Sequence, residues 1–536
     1  MSYKIALDLG TSGERAQALD ERGKIISTAI TLRHPLPGAN IMDHLHFTIE
    51  NGTELSRSLI IHTVNKLFRA LRIDLDKVDS TAVCGNPCQL SLFEGIEIRD
   101  LAYAGKNLLE KLKVKIPERN AKVLAAEELN LSINHNAEVI IPPSVRHEIG
   151  ADALAMIMKS GIMNEEGFSL VTDYGTNAEM GLHMDGEVYT ASAAAGPAIE
   201  GQHIEFGMLA SPGAISDLDE NWRNYVLDEK LKRQKGDAVD PNSGRILERG
   251  GIRSKGITGT GVVAAIAMGM EKGLISAPRI LTRDRRLHLQ DRIYLLEKDL
   301  TEASKAISAI SAGHKTLMEE ADIDIRDLNS VYMAGALGTY VDPLKAQRVG
   351  LIPPQLNKVV QIGNTSLAMA VDLVRAREVL DEMQEFSNSL RSKHIMLANS
   401  ETFVNTFICE LGLRVEGMPF EKYNQLLQRF GLQQVPLIKK PREIIRAVKR
   451  DIPVLGKKGL KIVTNIGLKL VGIFEECTAC GACAKECPEG ALTVKKGSQN
   501  RVVILSELCN GTACKRCEWA CPRKTFRFED LMMEEL

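Results

Sequence analysis

Short strand-like apolar runs and longer runs of helical spacing alternate along most of the chain. Lys4–Asp8 is a brief strand-like run that leads into Leu9-Gly10-Thr11-Ser12-Gly13; a second run, Arg15–Leu19, precedes the charged turn Asp20-Glu21-Arg22-Gly23, and a third covers Lys24–Ile30. Strand-like runs joined by a Gly-containing turn predict hairpins. The glycine-rich loop therefore lies inside a hairpin and does not open a helix. That argues against a Walker loop or a dinucleotide-binding turn, both of which need strand, loop and helix in succession.

Further along, Leu, Ile, Val and Phe recur at helical spacing over Thr48–Leu71, and Val78–Gly85 is a strand-like run. Phe168–Asn177 repeats the opening device with Asp173-Tyr174-Gly175-Thr176, and Glu179–His183 is the expected return strand. Arg286–Glu320 predicts one long helix or two, Asp327–Met333 a strand ending in Ala334-Gly335-Ala336-Leu337-Gly338, and Leu367–Phe386 another helix. The two Asp-x-Gly-Thr turns are the nearest approach to an internal repeat.

The length of 536 residues exceeds a single core and predicts about three or four folding units. A net charge of −2 gives no support to nucleic-acid binding. Met1–Gly10 lacks the layout of a signal peptide, and the longest apolar run, Val262–Met270, falls short of a membrane span. A soluble cytoplasmic protein is expected, with neither nucleic acid nor membrane as partner. From Lys439 to Lys469 there are ten Lys or Arg against two acidic residues, with Pro441 and Pro453, which predicts a solvated linker. The other reading of this stretch is a docking stripe for an acidic partner.

Eight of the eleven cysteines fall between Cys477 and Cys521. Clusters of this kind in a reducing compartment are metal ligands more often than disulfides. Cys477-x2-Cys480-x2-Cys483-x3-Cys487-Pro488 has the ligand spacing of bacterial ferredoxins; Cys509-x4-Cys514-x2-Cys517-x3-Cys521-Pro522 is a second copy with a longer first gap. In two-cluster ferredoxins the fourth cysteine of each run serves the other cluster. One 4Fe–4S cluster is thus expected on Cys477, Cys480, Cys483 and Cys521, and a second on Cys509, Cys514, Cys517 and Cys487. Structural zinc, the competing reading, favours separated ligand pairs. Trp519, between two ligands, is expected to pack over a cluster, and Cys84, Cys88 and Cys409 to be buried, inert thiols.

The two Asp-x-Gly-Thr turns and the late Gly-Ala-Leu-Gly turn together resemble the actin, sugar-kinase and heat-shock-protein-70 ATPase superfamily. Gly85-Asn86, His147-Glu-Ile-Gly-Ala-Asp152, Ile257-Thr-Gly-Thr-Gly261, Val331–Pro343, Gly350-Leu-Ile-Pro353 and Gly363-Asn364 are similar to a subfamily that reductively activates corrinoid proteins. The resemblance covers about residues 1–375. With the cysteine-rich terminus, the whole chain resembles the activases of methylamine methyltransferase corrinoid proteins. Several relatives carry an N-terminal 2Fe–2S ferredoxin, whereas this sequence opens on the ATPase pattern. It also has Gly13-Glu14 where hydroxyl residues are common, so Glu14 is given no role.

The resemblance implies an α/β fold of the two-lobed actin/hexokinase type followed by a small α+β di-cluster ferredoxin domain. The expected boundaries are 1–150 and 151–386 for the lobes, 387–470 for a linker and 471–536 for the ferredoxin. It implies ATP and Mg²⁺ as ligands. Asp8 and Asp173 would hold the metal or orient water; Gly10, Thr11, Ser12, Gly175, Thr176 and Asn177 would hold phosphate; Gly335, Ala336 and Gly338 would meet adenosine. The implied reaction returns Co(II) corrinoid proteins of methylamine methyltransferase systems to Co(I), with electrons from a low-potential donor. The alternatives are an ATP-driven activator of another low-potential enzyme, of the 2-hydroxyacyl-CoA dehydratase type, a sugar kinase with a redox sensor, and a non-enzymatic ATP-switched protein with structural clusters.

Overall fold

The computed structural model describes residues 2–103, 106–145, 149–201, 203–390, 393–511 and 514–534. His147 and Glu148 of the His147–Asp152 motif lie outside the described residues. The chain forms two compact units, each assembled from separated stretches. One comprises Met1–Asp152, Ser366–Asn388 and Val454–Leu536; the other comprises Ala153–Thr365 and Ser389–Pro453.

The first unit is built on a seven-stranded sheet in the order Leu460–Val463, Ile25–Thr31, Gly13–Asp20, Tyr3–Gly10, Val78–Gly85, Glu138–Ile141, Lys122–Ala125. Tyr3–Gly10 runs antiparallel to Gly13–Asp20 and parallel to Val78–Gly85. Ile5, Leu7 and Leu9 of this strand are fully buried, and so are Val64, Leu67 and Phe68 of the helix Thr53–Ala70, which packs on the neighbouring strands Gly13–Asp20 and Ile25–Thr31. The helical run expected over Thr48–Leu71 is two helices, Ile41–Asn51 and Thr53–Ala70, because Gly52 sits at φ 96°, which ends the first.

The second unit repeats the device. Its six-stranded sheet has the order Glu443–Arg446, Lys358–Gly363, Leu328–Ala334, Phe168–Tyr174, Asn177–Met184, Glu187–Ala194. Again two successive hairpins feed a strand that pairs in parallel with the next. A second sheet of five strands and the helices Gly259–Glu271 and Glu297–Glu320 complete its core. The helix expected from Arg286 begins only at Glu297, since Leu287–His288 and Tyr294–Leu295 first pair as a short hairpin. Asp299 Oδ2 then accepts the Leu296 N–H at 2.8 Å and fixes that start. In the first unit, the helix expected over Leu367–Phe386 is interrupted into Thr365–Arg375 and Glu378–Leu390.

The segment expected as a linker over 387–470 is instead folded. Helices Glu401–Arg414 and Phe420–Arg429 bury Cys409, Tyr423 and Leu427, and Glu410 joins Lys315 to Tyr423 in a buried polar knot. The basic stretch contributes an edge strand to each large sheet: Glu443–Arg446 pairs with Lys358–Gln361, and Leu460–Val463 with Thr28–Thr31. Each strand carries a basic residue, Arg446 or Lys461, and charged side chains on an edge strand resist further pairing, so positive charge and strand structure coexist.

The cysteine-rich end belongs to the first unit. It holds a four-stranded sheet, Leu492–Lys495, Arg501–Leu505, Lys469–Ile473 and Met532–Met533, with short helices at Ala482–Glu486 and Arg516–Trp519.

Candidate nucleotide loops and cysteine cages

The first Asp-x-Gly-Thr loop is a tight hairpin turn. Gly10 pairs with Gly13, leaving Thr11 and Ser12 at the tip. A Cβ on Gly10 would stand 2.8 Å from the Gly13 carbonyl oxygen and 2.9 Å from Arg15 Nη1, so only glycine fits. Asp8, 3% exposed, receives Arg15 Nη1 on Oδ2 at 3.1 Å and the Ser366 hydroxyl on Oδ1 at 2.7 Å. Asn86 Nδ2 donates to Thr11 Oγ1 at 3.0 Å while its Oδ1 caps the helix Pro87–Glu94. Glu14 is fully buried on the return strand, and neither carboxyl oxygen has a hydrogen-bond partner among the described residues. Burial, and then the Asp8 charge, push its carboxyl well above the ordinary range.

The second loop is built alike. Asp173 pairs with Glu179, and Gly175 and Thr176 form the turn to Asn177. The Thr176 hydroxyl donates to Glu200, and its carbonyl accepts the Gly196 N–H at 2.8 Å. Gly335 begins the helix Gly335–Tyr340 at φ 73°, and a Cβ there would stand 2.2 Å from Asp173 Oδ1. The turn expected to meet adenosine is thus the first turn of a helix packed directly on the second Asp loop. Gln361, fully buried, donates Nε2–H to the carbonyls of Gly338, Thr339 and Val341 and fixes its end, with Ala336 and Gly338 inside it. The Ile257–Gly261 motif is a helix cap: Thr258 Oγ1 accepts the Gly261 N–H at 3.2 Å.

The eight terminal cysteines divide between two cavities. Cys477, Cys480, Cys483 and Cys521 line one, and Cys487, Cys509, Cys514 and Cys517 line the other. Each cavity draws three cysteines from one run and the fourth from the other. Among the described residues no three or more His, Cys, Asp or Glu side chains converge on a single-ion site. Four cysteines per cavity, shared three and one between the two runs, are the ligand set of a two-cluster ferredoxin. The surrounding chain places an N–H and a hydroxyl beside the sulfurs: Cys509 Sγ accepts the Gly511 N–H at 3.4 Å, and Cys521 Sγ lies 3.7 Å from Thr525 Oγ1. Burial pushes the Cys509 and Cys517 thiols up to about 12. At Cys521 burial also works upward, but hydrogen bonds from the Phe526, Thr525 and Arg523 backbone and the Thr525 side chain outweigh it and hold the thiol at about 7.

Family models match this architecture in three stretches: the "RACo middle region" over residues 3–165, the "C-terminal domain of RACo the ASKHA domain" over 167–424, and a "4Fe-4S binding domain" over 471–493. The chain is 46% identical over 518 residues to the "[Co(II) methylated amine-specific corrinoid protein] reductase" of Methanosarcina barkeri, covering 95% of this chain and 96% of that one. It belongs to the corrinoid-protein reductive activase family. Among more distant relatives, the "corrinoid activation enzyme RamQ" of Eubacterium limosum is 25% identical, over 76% of this chain and 69% of its own. The solved structure titled "Reductive activator for corrinoid,iron-sulfur protein" superposes with a TM-score of 0.62 at 23% identity, which shows the shared fold. That match covers 76% of this chain and 65% of the other, so this activase spans slightly less than two thirds of that structure's length.

Several contacts of these candidate loops carry no mark in the sequence: Ser366 on Asp8, Glu200 on Thr176, and the burial of Glu14. Arg15 stands opposite Asp8 in the antiparallel hairpin, a pairing that follows from the tight Gly10–Gly13 turn. Trp519, expected against a cluster, is 77% exposed, since its short helix turns the ring outward. Cys84, Cys88 and Cys409 are all buried, with the Cys88 thiol pushed up to about 12 by burial.

Proposed function

We propose that this protein reduces the inactive Co(II) form of corrinoid proteins from methylamine methyltransferase systems to Co(I), in the cytoplasm and at the expense of ATP. The observation that carries this reading is the 46% identity to the M. barkeri reductase across 95% of the chain. The two cysteine cavities would each hold one 4Fe–4S cluster, on Cys477, Cys480, Cys483 and Cys521 and on Cys487, Cys509, Cys514 and Cys517. Such clusters, when bound, pass single electrons at low potential.

The chain's own residues handle the nucleotide. Asp8 and Asp173 would hold Mg²⁺ or orient the attacking water, with Arg15 and Ser366 fixing the Asp8 carboxylate. Gly10, Thr11 and Ser12, and Gly175, Thr176 and Asn177, would offer N–H and hydroxyl groups to phosphate oxygens. Gly335, Ala336 and Gly338 would pack the adenosine. The energetic need is plain. An acceptor about 200 mV below a ferredoxin-type donor makes transfer uphill by roughly 4.6 kcal/mol, at about 2.3 kcal/mol per 100 mV. Differential binding of the Co(II) partner to the ATP-loaded state can offset a gap of that size. Partner specificity is tested by offering mono-, di- and trimethylamine corrinoid proteins beside a methanol-system corrinoid protein. Reduction of the methylamine set alone is expected; equal rates with the methanol-system protein would remove the specificity.

A further inference from the structure

Hydrogen bonds and a short backbone stretch, largely buried beyond Thr11, run within the first unit from the Gly10–Ser12 loop to the backbone of Cys509. They start at Thr11 Oγ1, which accepts from Asn86 Nδ2 at 3.0 Å. Asn86 Oδ1 in turn accepts the Gln89 N–H at 2.9 Å and caps the helix Pro87–Glu94. Gln89 is fully buried, and its amide bridges two buried histidines, with Oε1 2.9 Å from His34 Nε2 and Nε2 2.9 Å from His44 Nδ1. The imidazoles are stacked, with centroids 4.2 Å apart. His34 Nδ1 accepts the Leu36 N–H at 3.2 Å, so its Nε2 carries the proton donated to Gln89. His34 thereby sets the backbone of the segment leading to Pro37 and Gly38.

That segment abuts the second cysteine cavity. The Gly38 N–H donates to the Cys509 carbonyl at 2.9 Å, and a Cβ on Gly511 would stand 3.2 Å from the Pro37 carbonyl. Two further contacts tie the helix Ile41–Asn51, which carries His44, to the same region: Lys515 with Glu50 at 3.2 Å, and Phe47 edge-on to Phe528 at 6.2 Å. An amide donates to one histidine and accepts from the other while remaining uncharged at every pH. Met or Leu would fill the same space but would leave the buried His34 Nε2–H and His44 Nδ1 without their partner.

We propose that Gln89 is a positioning residue that couples nucleotide at the Gly10–Ser12 loop to the placement of Cys509, and so tunes the cluster held by Cys487, Cys509, Cys514 and Cys517. The inference rests on the nucleotide and cluster assignments above. A nucleotide phosphate that engages Thr11 competes for or strengthens its bond to Asn86, and the helix, the histidine pair and the Pro37–Gly38 segment move as one hydrogen-bonded body.

The test uses the full-length, cluster-loaded protein with a non-hydrolysable ATP analogue. Midpoint potentials are read by EPR-monitored titration, and amide exchange is read over 34–39 and 509–511. In the wild type, the analogue should shift the potential of one cluster and slow exchange at Gly38 by about fivefold or more, the lower end of ordinary coupling between sites. Gln89→Met should bind the analogue and retain full iron, yet lose both responses. Gln89→Glu, which accepts from His34 Nε2–H and, on a switch of His44 to its Nδ1–H tautomer, from His44 as well, should keep them, and it also serves as the readout if Gln89→Met fails to load iron: loss of both responses in a folded Gln89→Glu protein counts against the bridge. Unaltered responses in Gln89→Met, or none in the wild type, would overturn the proposal. A wild type that shows both responses but generates no Co(I) would refute the functional reading and leave this coupling standing.

Discussion

Gly335 offers a sharp perturbation of the second Asp loop. Replacing it with Ala places a Cβ 2.2 Å from Asp173 Oδ1 and 3.2 Å from its Cγ, at a backbone φ of 73°. Ordinary carbon contacts begin near ~3.5 Å, so the carboxylate must retreat by more than about 1 Å. Left-handed backbone strain in a non-glycine residue costs about 1–2 kcal/mol and overpacking adds about 1–3 kcal/mol, for a total loss of about 2–5 kcal/mol. Displacing a working group by ~1 Å lowers a rate by about a hundredfold. Gly186 supplies the control, since it has φ 82° and nothing within 4 Å of an added Cβ. Gly186→Ala should therefore carry the strain alone, about 1–2 kcal/mol, with unchanged turnover. The assays are thermal unfolding, ATP hydrolysis and ATP-dependent Co(I) formation, each beside an iron determination. Iron should stay constant in both variants, because the cysteines belong to the other compact unit. A folded Gly335→Ala protein that hydrolyses ATP and reduces cobalt at wild-type rates would refute the placement of Asp173 in the reaction.

Other outcomes follow from the same geometry. Asp173→Ala and Asp8→Ala should each abolish ATP-dependent cobalt reduction while iron content and the visible spectrum stay intact; retained turnover in either removes that residue from the mechanism. Cys480→Ser and Cys509→Ser should each deplete one cluster and spare the other, read as two separable EPR signals; a common loss from both would undo the partition of ligands. Glu14→Gln reports on the buried acid. Because its folded carboxyl is raised above the ordinary value of 4.5, the native state keeps a proton that the unfolded chain releases as pH rises past that value. This contribution to stability is fully present below that pH and is lost as pH rises toward the folded value, at up to about 1.4 kcal/mol per unit. Unfolding midpoints compared from pH 5 to 8 should show the variant gaining on the wild type with rising pH; a constant gap would mean Glu14 is not held protonated.

Much of this architecture was legible because hairpins and glycine turns leave local marks. Asp8–Gly13 and Asp173–Asn177 each show an apolar run, an acidic residue, a glycine and a hydroxyl in fixed order, and the chain folds both as tight hairpin turns. Helix ends were less legible. Gly52 and the Leu287–Leu295 hairpin interrupt runs whose apolar spacing alone gives no sign of a break. The basic segment misled for a different reason: charge density suggests solvation, but Ile444, Ile445, Leu460 and Ile462 lie among the charges and form edge strands whose partners are remote in sequence. Contacts such as Ser366 on Asp8, 358 positions apart, have no local signature at all.

The most direct measurement mixes anaerobically purified, reduced protein with a Co(II) methylamine corrinoid protein and follows the visible spectrum with and without ATP. Conversion to Co(I) only when ATP is present is the predicted result. No conversion under any nucleotide, with both clusters present and reducible, would contradict the account.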